Sequence, residues 1–230
     1  MGAFIIGADI SAAHGGIVVR RLDTGEAIKT FYYTSKRKKD VVPELGGEFG
    51  LKNDKKVFAG DKDHFNMARL KYMSAMFNRW AYELRAHHIA GHPVYVSIEG
   101  YAFNAGSHQD IIGEITGALK LAFQSTLPQA KFRIHQPTRL KMYIAGLGNA
   151  DKEDIYQEVI KWWPDLENYP DSDDVRYDLA DAAGLSEMLR HELLIRSGDM
   201  HLKDLTEKQR QVFLTVGKGH SVNLLAREWC

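Results

Sequence analysis

Four carboxylate residues stand at positions from which they could share one reaction centre. Asp9 ends the apolar run at residues 3–9, and Glu99 follows the alternating segment 93–98. Asp178 and Asp181 are three residues apart, so they share one face of a predicted helix. Grouped carboxylates repel one another unless cations neutralise them. Two Mg²⁺ ions, with Mn²⁺ as a substitute, could do so roughly 3.5–4 Å apart while activating a water for phosphodiester hydrolysis.

Each of these residues also has a structural explanation when it is taken alone. An aspartate after a strand often only forms a turn, and two aspartates near a helix start can stabilise the helix dipole. The order of all four along the chain is what favours a common site. His14, just past Asp9, could assist with a water or a phosphate.

The elements that would position these residues follow from the apolar periodicity. Strands are predicted at 3–9, 17–19, 30–34, 93–98 and 132–135, the first two forming a hairpin. One helix is predicted at 65–84, and a second begins at a capping box of Ser107 and Asp110. Two more are predicted at 152–162 and at 174–195. Residues 35–62 are polar, Gly-rich and Lys-rich, which predicts a long loop. This order predicts a mixed five-stranded α/β sheet flanked by helices.

Composition predicts an ordinary globular chain whose charges are segregated. Its 230 residues are 44% hydrophobic and carry a formal net charge of zero. Residues 35–62 contain eight basic and five acidic residues, whereas residues 151–187 contain three basic and twelve acidic ones. A basic arm beside an acidic pocket suits an enzyme that holds cations and DNA, although both segments could equally be solvated surface.

Other features concern the cellular compartment. The lone cysteine, Cys230, leaves no partner for an internal disulfide and excludes a thiolate metal site. Apolar stretches fall short of a membrane span, and the N-terminus lacks a secretory signal. We therefore expect a cytoplasmic protein with no membrane partner.

Four motifs, in this order, resemble the RuvC-type Holliday junction resolvases of the ribonuclease-H-like superfamily. They are Ile5-Ile-Gly-Ala-Asp9-Ile-Ser11, Val96-Ser-Ile-Glu99, Gln136-Pro-Thr-Arg-Leu-Lys141 running into Ala145-Gly-Leu-Gly-Asn-Ala-Asp-Lys152, and Asp178-Leu-Ala-Asp181-Ala-Ala183. The third motif is the most specific, because a lysine followed by Gly-x-Gly-x-Ala-x-Lys has no general structural cause. The resemblance spans residues 3–195 and implies a ribonuclease-H-like fold.

The resemblance also implies roles for individual residues. Asp9, Glu99, Asp178 and Asp181 would be catalytic metal ligands. Lys141 and Lys152 would contact DNA phosphates, with Lys152 also steadying charge near the scissile bond. The start of the helix at Lys152 offers backbone amides to an anion, but an exposed helix-start lysine is the alternative.

Further DNA contacts are expected outside this centre. An aromatic residue of the family wedges into the junction core, and Tyr101 and Phe103 are the candidates here, with packing as their alternative. The basic segment adds the DNA-binding candidates Lys36, Arg37, Lys38 and Lys39. The expected partner is branched DNA, a four-way junction, and a two-fold substrate favours a homodimer.

Neutral charge and the 35–62 insertion depart from the compact basic cellular enzymes and indicate a divergent, phage-encoded member. We expect a nuclease domain at 1–198 and a helical tail at 199–230, with short helices near 205–214 and 221–227. The tail would serve packing or dimerisation, with DNA contacts through Lys208, Arg210 and Lys218.

Three other functions remain as alternatives. A related nuclease could act on other branched DNA or on RNA. An actin-like ATP-dependent phosphotransferase also opens with a strand ending in Asp, but it needs a second domain for which 230 residues leave no room. A non-catalytic DNA-binding relative should have lost at least one of the four carboxylates.

Overall fold

The computed structural model describes residues 2–52, 61–100, 109–217 and 220–229. The strands in these ranges are β1 Phe4–Ile10, β2 His14–Arg21, β3 Ala27–Thr34, β4 Gly47–Phe49, β5 Val94–Glu99 and β6 Lys131–His135. The α-helices are α1 Lys62–Leu84, α2 Gln109–Thr126, α3 Pro137–Ala145, α4 Lys152–Ile160, α5 Asp173–Ser197 and α6 Glu207–Leu214. No helix in the described residues is both long and apolar enough to cross a bilayer.

The strands form one mixed sheet in the order β4-β3-β2-β1-β5-β6. Strands β1, β2 and β3 are antiparallel neighbours, as expected for strands joined by short turns. Strands β5 and β6 lie parallel to β1, and helices connect them in the chain. The carboxyl ends of β1, β5 and β6 therefore meet at one edge of the sheet.

Helices cover both faces of this sheet. On one face, α1 and α2 pack against β1 and β5 around Trp80 and Phe123. On the other face, α4 and α5 cover β2 and β3 around Leu179 and Ile155. Helix α5 has an apolar surface on several sides because the sheet, α3, α4 and the tail all contact it, and most of its residues from Asp178 to Leu193 are buried.

Two glycines allow α5 to lie directly on the sheet. A Cβ atom added to Gly7 in β1 would come within 1.8 Å of the carbonyl oxygen of Ala182. A Cβ atom added to Gly16 in β2 would come within 2.8 Å of a Leu179 methyl group. Only a residue without a side chain fits such contacts. Gly16 is also the cross-strand partner of Asp9, so this close packing brings the Asp178 turn of α5 beside Asp9.

The predicted α/β class and ribonuclease-H-like sheet are confirmed, with three local corrections. The described residues form six strands rather than five, because β4 lies within the segment predicted as a loop and pairs with β3 over three residues. Such a short strand has too few residues to show alternation. The neighbouring residues Lys38–Asp40 and Pro43–Leu45 form 3-10 turns.

The other two corrections concern helix ends. Helix α1 begins at Lys62 rather than at residue 65, because the Asp61 side chain accepts hydrogen bonds from two backbone amides of the first turn. In the tail, α6 agrees with the prediction at 205–214, but the second predicted helix is only a 3-10 turn at Leu224–Ala226. Ser107 of the predicted capping box lies outside the described residues.

Candidate active site

Two strand ends place the first pair of carboxylates side by side. Asp9 is the penultimate residue of β1, and Glu99 is the last residue of β5. The two strands are parallel neighbours with Ala8 opposite Ile98, so the following residues leave the sheet at the same edge. Asp9 and Glu99 both line the cleft at this edge.

Helix α5 supplies the second pair from above the sheet. Asp178 and Asp181 are 2% and 9% exposed, although charged aspartates seldom lie so deep without partners. Both face the cleft because α5 rests on Gly7 and Gly16 with this side of the helix toward the carboxyl ends of the strands. The four predicted carboxylates therefore line a single cleft.

The cleft has a volume of about 300 Å³ and combines these acids with two lysines. Strand ends, the β1–β2 turn and four helices, α2 to α5, form its walls. The lining residues are Asp9, Ile10, Ser11, His14, Glu99, Gly100, Ile112, Pro137, Lys141, Lys152, Ile155, Asp178 and Asp181. The lysines come from α3 and α4, as the third sequence motif predicts.

Crowding of like charges perturbs the acids. Burial, followed by the charges of Glu99, Asp178 and Asp181, raises the pKa of Asp9 well above its ordinary value. Burial and the neighbouring Glu99 raise the pKa of Asp181 to about 7. Burial also raises the pKa of Glu99, and the positive charges of Lys152 and Lys141 oppose that change. The protein alone thus does not neutralise the cleft, and such perturbation is a common property of functional sites.

Lys152 supplies part of the missing positive charge. It is the first residue of α4, whose start is fixed by reciprocal hydrogen bonds between Asp151 and Asp154. Its ammonium nitrogen lies 3.5 Å from Asp178 Oδ1, and its side chain is half exposed. Partial burial lowers the pKa of Lys152, but the charges of Asp178, Asp9 and Asp181 outweigh burial and raise it. Lys152 is therefore a permanent cation at the mouth of the cleft.

Lys141 has a hydrogen-bond partner within the chain. Its ammonium group donates a hydrogen bond of 2.7 Å to the carbonyl of Ala150, in the loop that leads into α4. Lys141 therefore holds the loop that positions Lys152, while it also lines the cleft.

His14, the first residue of β2, contacts the acidic cluster. Its Nδ1 atom donates to Asp178 Oδ2 over 2.5 Å, since a carboxylate can only accept. Its Nε2 atom lies 3.6 Å from Oδ1 of Asp174, which also forms a 2.7 Å ion pair with Lys36. Asp174 was not among the predicted site residues, although its spacing of four from Asp178 places both on one face of α5.

The remaining predicted DNA-binding residues are distributed differently. Tyr101 and Phe103 lie outside the described residues. Lys36 reaches the edge of the site through Asp174, whereas Arg37 forms an ion pair of 2.6 Å with Asp40. Lys38 and Lys39 are exposed in the adjacent 3-10 turn. Of the four basic candidates at 36–39, Lys36 is the one that contacts a residue beside the cleft, Asp174.

The donor chemistry of the cleft fits a hard divalent cation. Its carboxylate oxygens are the ligands that Mg²⁺ and Mn²⁺ prefer, and a bound cation would offset the like charges that help to raise the pKa of Asp9 and Asp181. Among the side chains that the structure describes, however, no three His, Cys, Asp or Glu residues form a ready-made coordination shell. The two carboxylate oxygens of Asp178 already contact His14 and Lys152. A bound cation would take over the neutralising role that Lys152 has there.

Comparison with known structures supports the fold. No protein-family model matches the chain, and no curated protein matches it in sequence. It is similar to Thermus thermophilus RuvC, with a TM-score of 0.50, 18% identity, and 85% of this chain and 96% of that chain covered. For T. thermophilus RuvC in complex with a Holliday junction substrate, the TM-score is 0.52 and the identity 16%, with the same shares of both chains.

A third similarity is looser. The yeast mitochondrial Holliday junction resolvase Ydc2 aligns with a TM-score of 0.46 and 10% identity, covering 80% of this chain and 76% of that chain. We base no argument on it. The two RuvC structures are sufficient to assign this chain a RuvC-like fold of the ribonuclease-H type, as the four motifs predict.

Proposed function

We propose that this protein is a Mg²⁺-dependent, structure-selective DNA endonuclease that resolves four-way junctions. The observation that carries the proposal is the convergence of Asp9, Glu99, Asp178 and Asp181 in one cleft of a RuvC-like fold. Buried acids that repel one another cost free energy of folding, and a cationic ligand in the cleft would offset that cost.

The proposed chemistry is hydrolysis of a phosphodiester. Two divalent ions, when bound, would supply an activated water and stabilise the leaving oxygen. Asp9, Glu99, Asp178 and Asp181 would hold the ions, with Mn²⁺ able to replace Mg²⁺. Lys152 would place its ammonium group against the phosphate, where negative charge increases in the transition state.

The DNA would lie across the mouth of this cleft. Lys152 and Lys141 would contact phosphates beside the cut. The basic residues of the 35–62 segment, Lys36, Arg37, Lys38 and Lys39, would contact phosphates farther from it. Tyr101 and Phe103 would stack on bases near the junction core. A homodimer would present two clefts to the two-fold junction and produce symmetric nicks.

We further propose that the nuclease domain comprises residues 1–198, with 35–62 as an insertion and 199–230 as a helical tail. In the described part of the tail, Phe213 and Leu224 pack with Leu140 of α3 and Leu185 of α5. The tail would therefore support the helices that carry the cleft residues.

A cleavage assay tests the proposed function. A labelled synthetic four-way junction, a matched linear duplex and an RNA–DNA hybrid are incubated with the protein in Mg²⁺ or in EDTA. Paired symmetric nicks only in the junction, and only with Mg²⁺, are expected. Equal cutting of junction and duplex would contradict junction selectivity, and preference for the hybrid would favour an RNA nuclease. No cutting of any substrate would contradict the nuclease proposal.

A further inference from the structure

His14 contacts the candidate metal site although it is neither an acid nor a lysine. It is 20% exposed, and its Nδ1 atom lies 2.5 Å from Oδ2 of Asp178, whose side chain is 3% exposed. The two residues are 164 positions apart in the chain, so helix packing rather than local sequence creates this contact. On the other carboxylate oxygen, Oδ1, the neighbour is the Lys152 ammonium at 3.5 Å.

The backbone of His14 is held rigidly before its side chain reaches Asp178. The Ser11 hydroxyl donates to the His14 carbonyl over 2.6 Å and accepts from the His14 amide over 3.2 Å. The buried Tyr33 hydroxyl donates to the Ser11 carbonyl, and the Ser35 amide donates to the carbonyl of Ala13 over 2.8 Å. The β1–β2 turn is thus fixed to β3.

The outer side of the imidazole ring is also restrained. Its Nε2 atom faces Asp174 Oδ1 at 3.6 Å, and Lys36 neutralises Asp174 from the solvent side at 2.7 Å. The short Nδ1 contact with Asp178 and the longer Nε2 contact with Asp174 together restrain the plane of the ring. The same ring therefore fixes one oxygen of Asp178 and leaves the other turned toward Lys152 and the cleft.

We infer that His14 is a positioning residue for Asp178, which it orients so that its second oxygen can bind a divalent cation. The inference rests on the proposed function, because it needs a cation in the cleft. Partners behind a metal ligand reduce the entropy that the ligand loses on binding, and their loss typically weakens metal affinity about 10–100-fold. His14 acts through Asp178 and does not itself touch the reacting phosphate in this account.

Manganese binding to the DNA-free protein tests this role without any measurement of cleavage. Free Mn²⁺ is titrated by its electron paramagnetic resonance signal in wild type, His14→Ala, His14→Asn and His14→Gln. We expect His14→Ala to weaken binding about 10–100-fold. The amide nitrogen of Asn can occupy the Nδ1 position, so His14→Asn should restore most of the affinity. The amide of Gln reaches the Nε2 position instead, so His14→Gln should remain weak.

Two controls separate the possible failures. His87→Ala changes an exposed histidine of the π-helical turn after α1 and should bind Mn²⁺ like wild type. Asp178→Asn should bind weakly. If Asp178→Asn binds weakly while His14→Ala binds like wild type, the positioning role is wrong and the proposed function stands. If wild type and Asp178→Asn bind alike, both are wrong. Junction binding in EDTA should be unchanged in the folded His14 variants, and its loss would indicate a structural effect instead.

Discussion

Two carboxylates of helix α5, Asp181 and Glu187, are six positions apart and lie in opposite electrostatic surroundings. Asp181 faces three other acids, and burial with these neighbours raises its pKa to about 7. Glu187 is also largely buried, but it accepts from His191 at 3.1 Å and Arg190 at 3.2 Å and pairs with Arg20. These partners outweigh burial and lower the pKa of Glu187 to about 2.

This difference separates a structural charge from a functional one. Glu187 has its cations within the chain and needs no ligand. Further along α5, the fully buried Glu192 also has cations within the chain, Arg133 at 2.7 Å and Arg196 at 2.9 Å. There, however, burial outweighs these partners and raises the pKa of Glu192. Among the described residues, the cations that act on Asp181 are Lys152 and Lys141, and His14 contacts its neighbour Asp178. Asp181 and Glu187 are both largely buried, but their counter-charges differ. Substitutions at the two positions should therefore have opposite effects on activity and on stability.

The largest expected effect is on cleavage. Asp9→Asn or Asp181→Asn should lower the rate of junction cleavage by a factor on the order of 10²–10⁴, because the ions lose a ligand. Glu187→Gln, measured well below its melting temperature, should cut at the wild-type rate. Single-turnover cleavage in Mg²⁺ makes this comparison. Equal losses in Asp181→Asn and Glu187→Gln would remove the distinction between the two groups.

Next in size is the loss expected on removal of the Lys152 cation. Lys152→Met keeps the aliphatic length but not the charge, and should lower the cleavage rate roughly 100-fold, as for other groups that stabilise transition-state charge. Lys161→Met is a matched control at the opposite end of α4, because Lys161 pairs only with the exposed Glu158 among the described residues. Similar rates for Lys152→Met and wild type would show that Lys152 is only a helix-start lysine.

Stability should respond in the opposite sense to activity. Glu187→Gln leaves Arg20 without its carboxylate and should reduce the free energy of unfolding by about 2–3 kcal/mol. Asp181→Asn removes repulsion and should increase it by about 1–2 kcal/mol in EDTA at pH 8. Urea unfolding followed by circular dichroism measures both. A loss of stability in Asp181→Asn at pH 8 would contradict the uncompensated charge of the cleft.

The pH dependence should be the smallest of these effects, and its sign differs between the two groups. The folded state holds the Asp181 proton more tightly than the unfolded state does, so its cost rises from about pH 4 and is complete above about pH 7. Metal-free wild type should therefore lose about 1–2 kcal/mol between pH 5.5 and 8, and Asp181→Asn should lose less. The Glu187 contribution is present above pH 4.5 and is lost only as the pH falls toward 2. A wild-type stability that rose between pH 5.5 and 8, relative to Asp181→Asn, would contradict this assignment.

Much of the site was predictable because its residues occupy positions with a clear local meaning. Asp9 and Glu99 end apolar strands, and the spacing of Asp178 and Asp181 defines one helix face. The contact between His14 and Asp178 was not predictable, since it depends on how closely α5 approaches the sheet. That approach depends on Gly7 and Gly16. A glycine in a strand sequence does not by itself show that a helix packs against it.

Other elements of the fold were predictable from the sequence where their apolar pattern repeats several times. Long amphipathic helices and buried strands repeat their pattern often enough to be recognised, whereas β4 has three residues in a Gly-rich segment. The tail is predicted to serve packing or dimerisation, and in the structure Arg133 of β6 donates to the carbonyls of Arg227 and Glu228 and lies 4.1 Å from the centre of the Trp229 ring. A buried strand arginine gives no sequence signal of which distant carbonyls will accept from it.

Anomalous diffraction from a crystal soaked in Mn²⁺ tests the central claim most directly. We predict anomalous density between Asp9, Glu99, Asp178 and Asp181, and its absence from the same cleft in Asp181→Asn crystals. The compensated group around Glu187 should show no density in either crystal. Manganese bound elsewhere while the cleft of a well-occupied wild-type crystal remains empty would contradict the assignment of these four carboxylates as a metal site.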